Sequence, residues 1–485
     1  MADLLIEASA GEIRTALVDE TGPLEIGFHR GRDLHREAIV LARVSALAPD
    51  INSAFVELEG GVEGGPSCPL SGLLPCHHAP FEPGSARPKR IGDAVHVGQK
   101  FCVELMMAPN ENSKSWVVRA DYARKGRYLT LTPFRPGLRF DDGFDLEDKN
   151  RLGEALTPIL KESGVAAHAP AQGIHDDVLM AEAARLLGQI RAIRTAGGGA
   201  RQILAAASAL KISLRDAPPD LGKIYLSDRD LLAQAQSCLK QWPDLLPLLD
   251  VPKTDLGLFA DHGVEEALDA LIDGHIALPS GGMISIDETR AATVIDVDSA
   301  KATAGQSAGQ SGAGSGRAWG RAAFEVNCEA ARVLARLLRF GRIGGLVVID
   351  FIDMQKKDHK DALIAAFDAA LADDPLPVRL SGINAHGILT LTRKRLGPSV
   401  REMLLQAPGP RLSLYSLAHD LLRRAERTAI MDPRPGTLVL SLSPALGRLF
   451  EGPDWLARLS ERTGRVIDLR MDESVPSDQP LCHIG

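Results

Sequence analysis

The first 130 residues show the alternation of apolar and polar positions that is typical of β-strands. Short alternating runs occur at LLIEA, RTALVDE and GPLEIGFHR within residues 3–30, and at AIVLARVSAL and SAFVELEG within residues 38–60. A Gly/Pro-rich stretch from Gly60 to Pro88 predicts a loop, and strands resume at HVGQKFCVELMMA and SWVVRADYA. Several short strands with glycine-rich turns predict a small β-barrel.

The rest of the chain mixes helical and strand patterns. Residues 141–148, DDGFDLED, predict an acidic loop, and helical periodicity covers 176–194, 228–250 and 263–274. The strands MISIDETR, AATVIDVDSA and GGLVVIDFID then surround the helix AFEVNCEAARVLARLLRFGR. A helix over 358–372 and a strand at RLSGINAHGILTLT complete an α/β unit. The low-complexity segment 304–316 predicts a flexible loop, and QAPGP at 406–410 predicts a linker to a last α/β segment.

Length and composition exclude several classes of protein. The 485 residues predict about three domains. No run of about 18 apolar residues occurs, so we expect no membrane partner. The N-terminus, MADLLIEASAGEIR, carries acids and does not resemble a secretory signal. The six scattered cysteines favour reduced thiols over a disulfide framework, so we expect a cytoplasmic protein.

The net charge of −8 argues against a nucleic-acid partner, but the charge is unevenly distributed. The segment from Arg87 to Arg127 contains nine Lys/Arg and four Asp/Glu residues, which makes it net +5. Together with Phe101, Trp116 and Tyr122, this segment indicates an RNA-binding surface. The alternative is a solvated face above ordinary core aromatics.

Two apolar strands deliver carboxylates. In TVIDVDS, Asp296 and Asp298 lie two residues apart, so both project from one face of a strand. In LVVIDFID, Asp350 follows four apolar residues, and Asp353 comes three later. Carboxylates at the end of a buried strand are costly unless they are paired or bind a metal, and carboxylate oxygens suit Mg²⁺ or Mn²⁺. The alternative is that they cap helices or pair with arginines at 332, 336, 339 and 342.

Other chemistries have little support. No GxxxxGK[ST] or GxGxxG motif precedes a helix, so nucleotide binding is not indicated. No GxSxG motif indicates a hydrolytic triad. Cys68, Cys76, His77 and His78 supply soft ligands, but their spacing matches no common zinc pattern. A loop with incidental cysteines is the simpler interpretation.

Several separate motifs resemble the ribonuclease E/G family of bacterial endoribonucleases. LPSGGMISIDETRAATVIDVDSA, AFEVNCEAARVLARLLRFGRIGGLVVIDFIDM and GINAHGILTLTRKRLGPSV occur in the family's order between Leu278 and Val400. SAFVELEG, SGLLP and VHVGQKFCVEL resemble its OB-fold RNA-binding domain, and LYSLAHDLLRRAERT and ERTGRVIDLRMDE its small C-terminal domain. The length places the chain nearer the shorter, ribonuclease G-type members.

The resemblance implies an α/β mosaic of seven segments. They are a first RNase H-like segment (1–35), the OB-fold RNA-binding domain (36–128), a 5′-sensor-like segment (129–210), a second RNase H-like segment (211–276), a DNase I-like catalytic subdomain (277–403), a linker (404–411) and a small C-terminal domain (412–485). The two RNase H-like segments would together form one domain, interrupted by the barrel and the sensor-like segment.

The resemblance also implies roles for single residues. Asp296 and Asp350 match the family's Mg²⁺ ligands, with Mn²⁺ as an alternative cation. Asp298 stands where the family usually has an asparagine that orients the scissile phosphate, so a tuned activity or an altered metal demand is expected. Phe55 matches a base-stacking aromatic whose partner is here Leu73, and Lys114 matches a base-contacting lysine.

Two features of the family are altered. Its 5′-phosphate sensor is an Arg-Thr pair in a glycine-rich loop, and length and flanking helix align that pair with His168-Ala169, although Arg194-Thr195 looks similar locally. Because alanine donates no side-chain hydrogen bond, weak or absent 5′-end sensing is expected. The family's CPxC-type zinc link is missing after GPSV, so a homodimer would have to form without a shared zinc.

The sequence therefore predicts a cytoplasmic, Mg²⁺-dependent endoribonuclease that cleaves single-stranded RNA to 5′-phosphate and 3′-hydroxyl ends. Processing of rRNA or tRNA, or mRNA decay, would be its setting. Two rivals stay open. One is a catalytically weak or inactive RNA-binding protein on the same scaffold, motivated by Asp298, the altered sensor and Leu73. The other is a DNase.

Overall fold

The computed structural model describes residues 1–30, 36–59, 70–82, 85–107, 115–195, 202–254, 256–299, 315–384, 386–406 and 411–485. The chain forms two compact units. Unit 1 comprises Met1–His29 and Pro252–Gly485, and unit 2 comprises Arg30–Val251. None of the helices in the described ranges combines the length and the apolar character that a membrane span requires.

The strands are numbered in chain order. They are β1 (Ala2–Ala8), β2 (Glu12–Asp19), β3 (Gly22–Arg30), β4 (Ile39–Ala48), β5 (Ser53–Leu58), β6 (Leu70–Pro75), β7 (Lys100–Met107), β8 (Trp116–Arg119), β9 (Arg124–Lys125), β10 (Leu129–Thr132), β11 (Leu138–Phe140), β12 (Gly164–Ala167), β13 (Gln202–Leu204), β14 (Leu221–Leu226), β15 (Leu249–Asp250), β16 (His275–Ala277), β17 (Met283–Glu288), β18 (Thr293–Asp298), β19 (Gly345–Asp350), β20 (Val378–Leu380), β21 (Ile388–Arg393), β22 (Leu405–Gln406), β23 (Arg411–Leu412), β24 (Leu438–Leu442), β25 (Ile467–Met471) and β26 (Leu481–Ile484).

The α-helices follow the same numbering rule. They are α1 (Ile91–Ala94), α2 (Leu146–Ala155), α3 (Thr157–Leu160), α4 (Asp176–Thr195), α5 (Ala209–Arg215), α6 (Arg229–Leu239), α7 (Leu258–Asp261), α8 (Val264–Asp273), α9 (Ser315–Phe340), α10 (Lys357–Leu371), α11 (Val400–Leu404), α12 (Leu414–Met431), α13 (Pro444–Gly447) and α14 (Trp455–Thr463). Short 3₁₀ turns lie at Pro49–Ile51, Cys76–His78, Ala169–Ala171, Leu246–Leu248 and Arg448–Phe450.

A closed barrel forms the N-terminal portion of unit 2. Among the described strands, five close it in the order β4-β5-β6-β8-β7, because β4 pairs with both β5 and β7. Its interior is filled by the apolar positions of the alternating runs, including Val56, Leu74 and Val118. Gly72 is required on β6, because a Cβ there would lie 2.8 Å from Val56 Cγ2. The predicted small barrel is confirmed, and its form is OB-like.

The remainder of unit 2 is α/β. Strands β11, β12, β10 and β9 form one sheet in that order, α4 packs against β10, and β14 pairs in parallel with β15. Helix α4 confirms the helix predicted over 176–194.

Three local predictions in unit 2 were partly wrong. The stretch predicted as a loop from Gly60 to Pro88 contains β6, which the barrel recruits as a strand. The acidic loop 141–148 ends early, because the side chain of Asp145 accepts a hydrogen bond from Asp148 N and starts α2. The helix predicted over 228–250 ends with α6 at Leu239, since prolines at 243 and 247 cannot continue it.

Unit 1 contains the sheet that carries the predicted carboxylates. Among its described strands, six are ordered β16-β17-β18-β19-β21-β20, and β18 and β19 run parallel. Helices α9 and α10 pack against each other. The strand predicted at RLSGINAHGILTLT is two antiparallel strands, β20 and β21, because the chain reverses before Gly387, whose φ is +85°. The mixed α/β class is thereby confirmed.

Unit 1 also contains two smaller groups of strands. Strands β1, β2 and β3 are neighbours in that order, and β25, β24 and β26 form a sheet whose β26 packs against α12. Leu421, Leu440 and Trp455 belong to the core of this last group. The seven domain boundaries stay predictions, since the contacts distinguish only the two units.

Candidate active site

Asp296 and Asp350 lie opposite each other on β18 and β19. The two parallel strands pair Ile295 with Ile349 and Asp296 with Asp350, close to the carboxyl end of both strands. Ile295 and Ile349 are completely buried, whereas both aspartates are exposed. Since successive side chains of a strand point to opposite faces, the isoleucines anchor the pair and both carboxylates project from the other face.

Asp298 adds a third carboxylate to this face. It is exposed, and Val297 between it and Asp296 is buried, so the alternation of TVIDVD has the predicted sense. Partial burial raises the pKa of Asp296, and the charges of Asp298 and Asp350 raise it further. The sequence analysis placed the cost of these groups in strand burial. All three carboxylates are exposed in the structure, so their mutual repulsion adds to the effect of partial burial. We call Asp296, Asp298 and Asp350 the aspartate edge.

Two of the four arginines proposed as partners for these aspartates are engaged elsewhere. Arg336 Nη1 lies 2.9 Å from Asp19 Oδ2, and Arg339 Nη2 lies 2.6 Å from Glu25 Oε1. Within the portion of the chain that the structure describes, no salt bridge joins the aspartate edge to a lysine or arginine. The ion-pair alternative is therefore not supported.

Asn327 of α9 fixes the segment that follows β19, and the sequence analysis missed it. Its side chain is completely buried, donates to Ile352 O (2.8 Å) and accepts from Ile352 N (3.1 Å). Ile352 lies two residues after Asp350, so this pair of hydrogen bonds holds the end of the strand in place. A polar residue within the apolar stripe of AFEVNCEAARVL was the signal that would have identified it.

The donor set of the aspartate edge fits a hard divalent cation. Mg²⁺ is usually held by one or two carboxylates, with waters and substrate phosphates completing its shell. Asp296 and Asp350 present carboxylates from paired positions. The pKa of Asp296 is raised by partial burial and then by the neighbouring carboxylates, whose negative charge a cation would offset. Among the described residues, no group of three or more His, Cys, Asp or Glu side chains has the arrangement of a metal cage. A two-carboxylate site is consistent with both observations.

The structure places some of the barrel residues predicted to bind RNA. Phe55 on β5 is 39% exposed and lies directly opposite Leu73 on β6. Leu73 is thus the direct cross-strand neighbour of Phe55, and its standing in for a second aromatic stays a prediction. Lys114 lies outside the described residues, as do Cys68 and most of the segment 304–316.

The other aromatics of the basic segment are not surface residues. Trp116 and Tyr122 are buried, and Phe101 is half-buried and packs against the barrel core. Two of the cations are also internal: Arg124 and Arg127 are buried, and Arg127 Nε lies 2.7 Å from Asp244 Oδ2. Lys89, Arg90, Lys100 and Lys125 are exposed. The aromatics are thus core residues, as in the alternative interpretation, and the RNA-binding role of the exposed cations stays a prediction.

His168 lies in a closed set of hydrogen bonds. Its Nδ1 is 3.1 Å from Asp141 Oδ2, and its Nε2 is 2.7 Å from Thr130 Oγ1. The same Asp141 oxygen accepts from the backbone N–H of Ala169 at 3.2 Å. The exposed carboxylate of Asp141 therefore already contacts His168 Nδ1 and accepts from the Ala169 N–H. Arg194 and Thr195 form the end of α4 instead.

The cysteine- and histidine-containing stretch has other partners. Cys76 is buried and its thiol donates to Pro88 O at 3.4 Å, while His78 Nδ1 lies 3.0 Å from Asp121 Oδ1. These contacts account for Cys76 and His78 as structural residues.

Comparisons with known proteins agree with this arrangement. The sequence model described as Ribonuclease E/G family matches residues 125–396. Ribonuclease E of Escherichia coli strain K12 is 27% identical over 413 residues, which cover 83% of this chain and 38% of that protein. Ribonuclease E of Haemophilus influenzae is 27% identical over 448 residues, covering 89% and 46%. Ribonuclease G of Salmonella typhimurium is 23% identical over 500 residues, covering 99% and 98%. The chain thus spans less than half of both ribonuclease E relatives.

Proposed function

Because the chain belongs to the ribonuclease E/G family, we propose that it is a Mg²⁺-dependent endoribonuclease that cleaves single-stranded RNA. The products carry 5′-phosphate and 3′-hydroxyl ends, and the setting is the cytoplasmic processing of rRNA or tRNA, or mRNA decay. The observation that carries the proposal is the pairing of Asp296 with Asp350 on adjacent parallel strands. The names of the relatives, ribonuclease E and ribonuclease G, support the choice of RNA as substrate.

Asp296 and Asp350 are the residues that would hold the cation. When bound, Mg²⁺ activates water and offsets the charge that builds on a phosphate oxygen. The chain itself keeps the two carboxylates side by side through the buried isoleucine pair beneath them. Asn327 keeps the following segment in place. It acts as a positioning residue, not as a catalytic residue.

Asp298 distinguishes this site from a simple two-carboxylate site. Its negative charge repels an incoming phosphodiester unless a cation is shared between them. We therefore expect catalysis to depend steeply on Mg²⁺ concentration. Lys356, Lys357 and Lys360, at the start of α10 shortly after Asp350, offer compensating positive charge for the RNA backbone.

The barrel is the proposed clamp for the RNA strand. Phe55 is exposed enough for a base to stack on its ring, and the neighbouring Leu73 adds apolar contact without stacking. Lys114 is proposed as a base contact. A homodimer, if formed, would use contacts other than a shared zinc.

We also propose that cleavage is nearly indifferent to the 5′ end of the RNA. The Asp141 carboxylate already takes the His168 Nδ1–H and the Ala169 N–H, so a 5′-phosphate would have to displace a like charge. RNAs with 5′-monophosphate and 5′-hydroxyl ends should be cleaved at closely similar rates, and His168→Ala should not change the ratio. A large monophosphate preference that disappears in His168→Ala would contradict this proposal.

The activity test uses a fluorescent single-stranded RNA with Mg²⁺ and three proteins: the parent, Asp296→Asn and Asp350→Asn. Each substitution keeps the shape and removes one ligand charge. Cleavage should fall by at least about 10³-fold in both, since a bound cation contributes several kcal/mol to stabilising the transition state. Asp287→Asn, an exposed aspartate of β17, is the matched control. RNA binding without cleavage by the parent would instead favour the non-catalytic RNA-binding protein, and cleavage of a parallel DNA substrate would favour the DNase.

A further inference from the structure

A cavity of about 190 Å³ in unit 2 is lined by five cationic side chains. They are Arg124, Lys125, Arg185, Lys211 and Arg215. Among the described residues that line it, none is acidic. We call it the cationic cavity. It contains neither the aspartate edge nor His168.

The cations come from three elements. Strand β9 contributes Arg124 and Lys125, and α4 contributes Arg185. Helix α5 contributes Lys211 and Arg215, which are four residues apart and therefore share one helix face. The fold thus brings together like charges from segments that are far apart in sequence. Such an arrangement is unfavourable unless something of opposite charge is present.

Two carboxylates behind the side chains that line the cavity, those of Glu37 and Asp216, neutralise some of this charge. Both terminal nitrogens of Arg215 bind Glu37, at 2.6 and 2.7 Å, and its Nε lies 2.7 Å from Asp216 Oδ1. Lys125 Nζ lies 3.0 Å from the same Asp216 oxygen. Arg124 is held by uncharged oxygens, at Gln189 Oε1 and Glu37 O.

Arg185 and Lys211 have much weaker compensation. Arg185 Nη2 lies 3.6 Å from Glu182 Oε1, a long distance for an ion pair. In the described ranges, no carboxylate lies within 4.0 Å of Lys211 Nζ. Burial lowers the pKa of Lys211, and the charges of Arg185 and Arg215 lower it further.

Glu182 itself is already fully used. Its carboxylate accepts from the backbone N–H groups of Arg127, Tyr128 and Leu129, and from the Trp242 indole, at 2.9 to 3.0 Å. Four N–H donors therefore share its charge, which leaves little for Arg185. The excess positive charge of the cavity is consequently carried by Arg185 and Lys211 together with Arg124, whose Nε and Nη1 already donate to Gln189 Oε1 and Glu37 O.

We propose that the cationic cavity binds a phosphate group, with Arg185 and Lys211 as its principal ligands. A tetrahedral anion with several acceptor oxygens matches guanidinium and ammonium donors converging from three elements. The volume corresponds to roughly six waters, enough for one phosphate and a small remainder. The phosphate belongs either to a small free compound or to the RNA backbone.

The test compares the parent with Arg185→Gln/Lys211→Met and with a control, Arg191→Gln/Lys161→Met. The control removes the same two charges from exposed positions of the same unit. Inorganic phosphate and pyrophosphate are titrated by calorimetry at low ionic strength, and the thermal midpoint is measured with and without pyrophosphate. The parent and the control should bind pyrophosphate and melt at a higher temperature with it. The cavity variant should melt at the parent's temperature or above without ligand and gain nothing from pyrophosphate.

An RNA arm distinguishes the two sources of phosphate. Binding of a 5′-hydroxyl single-stranded RNA is measured by anisotropy as a function of salt. A weaker affinity and a shallower salt slope in the cavity variant alone assign the site to the RNA backbone. Unchanged RNA binding, together with lost pyrophosphate binding, assigns it to a small phosphate compound. Equal behaviour of the parent and the cavity variant in both arms overturns the proposal. These readouts require no cleavage, so they are independent of the nuclease proposal.

Discussion

The aspartate edge of unit 1 and the cationic cavity of unit 2 are both clusters of like charge. The first presents three carboxylates on an exposed face of a sheet, and the second gathers five cations around a partly open cavity. Water screens the repulsion at the edge, whereas the cavity has less water to do so. The difference explains their surroundings. The edge needs only buried isoleucines beneath it, but the cavity requires carboxylates behind its wall.

The carboxylates behind the lining of the cationic cavity make the two clusters differ in how much of the fold depends on each. Glu37, Asp216 and Glu182 tie β9, α4, α5 and neighbouring segments together while they neutralise the cavity. At the aspartate edge, the backbone pairing of β18 with β19 persists whatever the charge of the side chains. We therefore expect changes behind the cavity to affect stability most, and changes at the edge to affect it little.

The largest effect on stability is expected for Glu182→Ala, which breaks the layer behind the cavity. It leaves three backbone N–H groups and the Trp242 indole without their acceptor and removes a charge beside Arg185. The free energy of unfolding, measured by urea denaturation, should fall by about 3 to 5 kcal/mol. Glu162→Ala, which removes an exposed partner of Arg191, is the control and should change little. A fall no larger than that of the control would show that the cavity wall does not depend on Glu182.

A smaller effect of opposite sign is expected for Asp298→Asn at the aspartate edge. The substitution keeps the side-chain shape and relieves repulsion, so the free energy of unfolding without divalent ions should rise, by at most about 1 kcal/mol. The stabilisation gained on adding Mg²⁺ should become smaller, because less charge remains for the cation to offset. Thermal melting with and without Mg²⁺ measures both quantities. Asp287→Asn serves again as the control, and a destabilised Asp298→Asn would mean that the carboxylates are not repelling one another.

The smallest expected effect is a pH dependence of the free energy of unfolding that arises from Lys211 in the cationic cavity. The pKa of Lys211 is lowered from its ordinary value of 10.5, first by burial and then by Arg185 and Arg215, while Cys238 and Glu182 act in the opposite direction. A lysine with a lowered pKa in the folded state contributes stability above its unfolded pKa and loses it as the pH falls through the folded value. Lys211→Met should therefore stabilise the protein at neutral pH, by less than about 1 kcal/mol, and this gain should shrink as the pH rises towards 10.5.

The control for this pH dependence is Lys161→Met, at an exposed position outside the cavity. The difference in free energy of unfolding between Lys161→Met and the parent should stay constant between neutral pH and pH 10.5. Denaturation midpoints across this range measure both variants. If the stability of the two variants relative to the parent depends on pH in the same way, Lys211 is not repelled by the other cations of the cavity.

Local patterns predicted much of the fold and some of the site. The alternation of TVIDVD placed Asp296 and Asp298 on one face of a strand, and the strand runs of the first 130 residues identified a barrel. Predictions that ignored context were wrong: β6 joins the barrel although its sequence looks like a loop, and the helix predicted over 228–250 stops before Pro243. Asn327 was missed because only its partner, Ile352, reveals the role of a buried amide.

The sequence by itself determined that Asp296 and Asp298 share one face of a strand, because a strand has a fixed period of two. It also determined that residues 87–127 carry excess positive charge, because that is a count. Only the tertiary structure decided that Asp350 stands beside Asp296, and that Arg124 faces a cavity with Arg185 and Lys211 instead of a solvated barrel surface. Register and burial are set by contacts between distant segments, and a pattern within one segment carries no record of them.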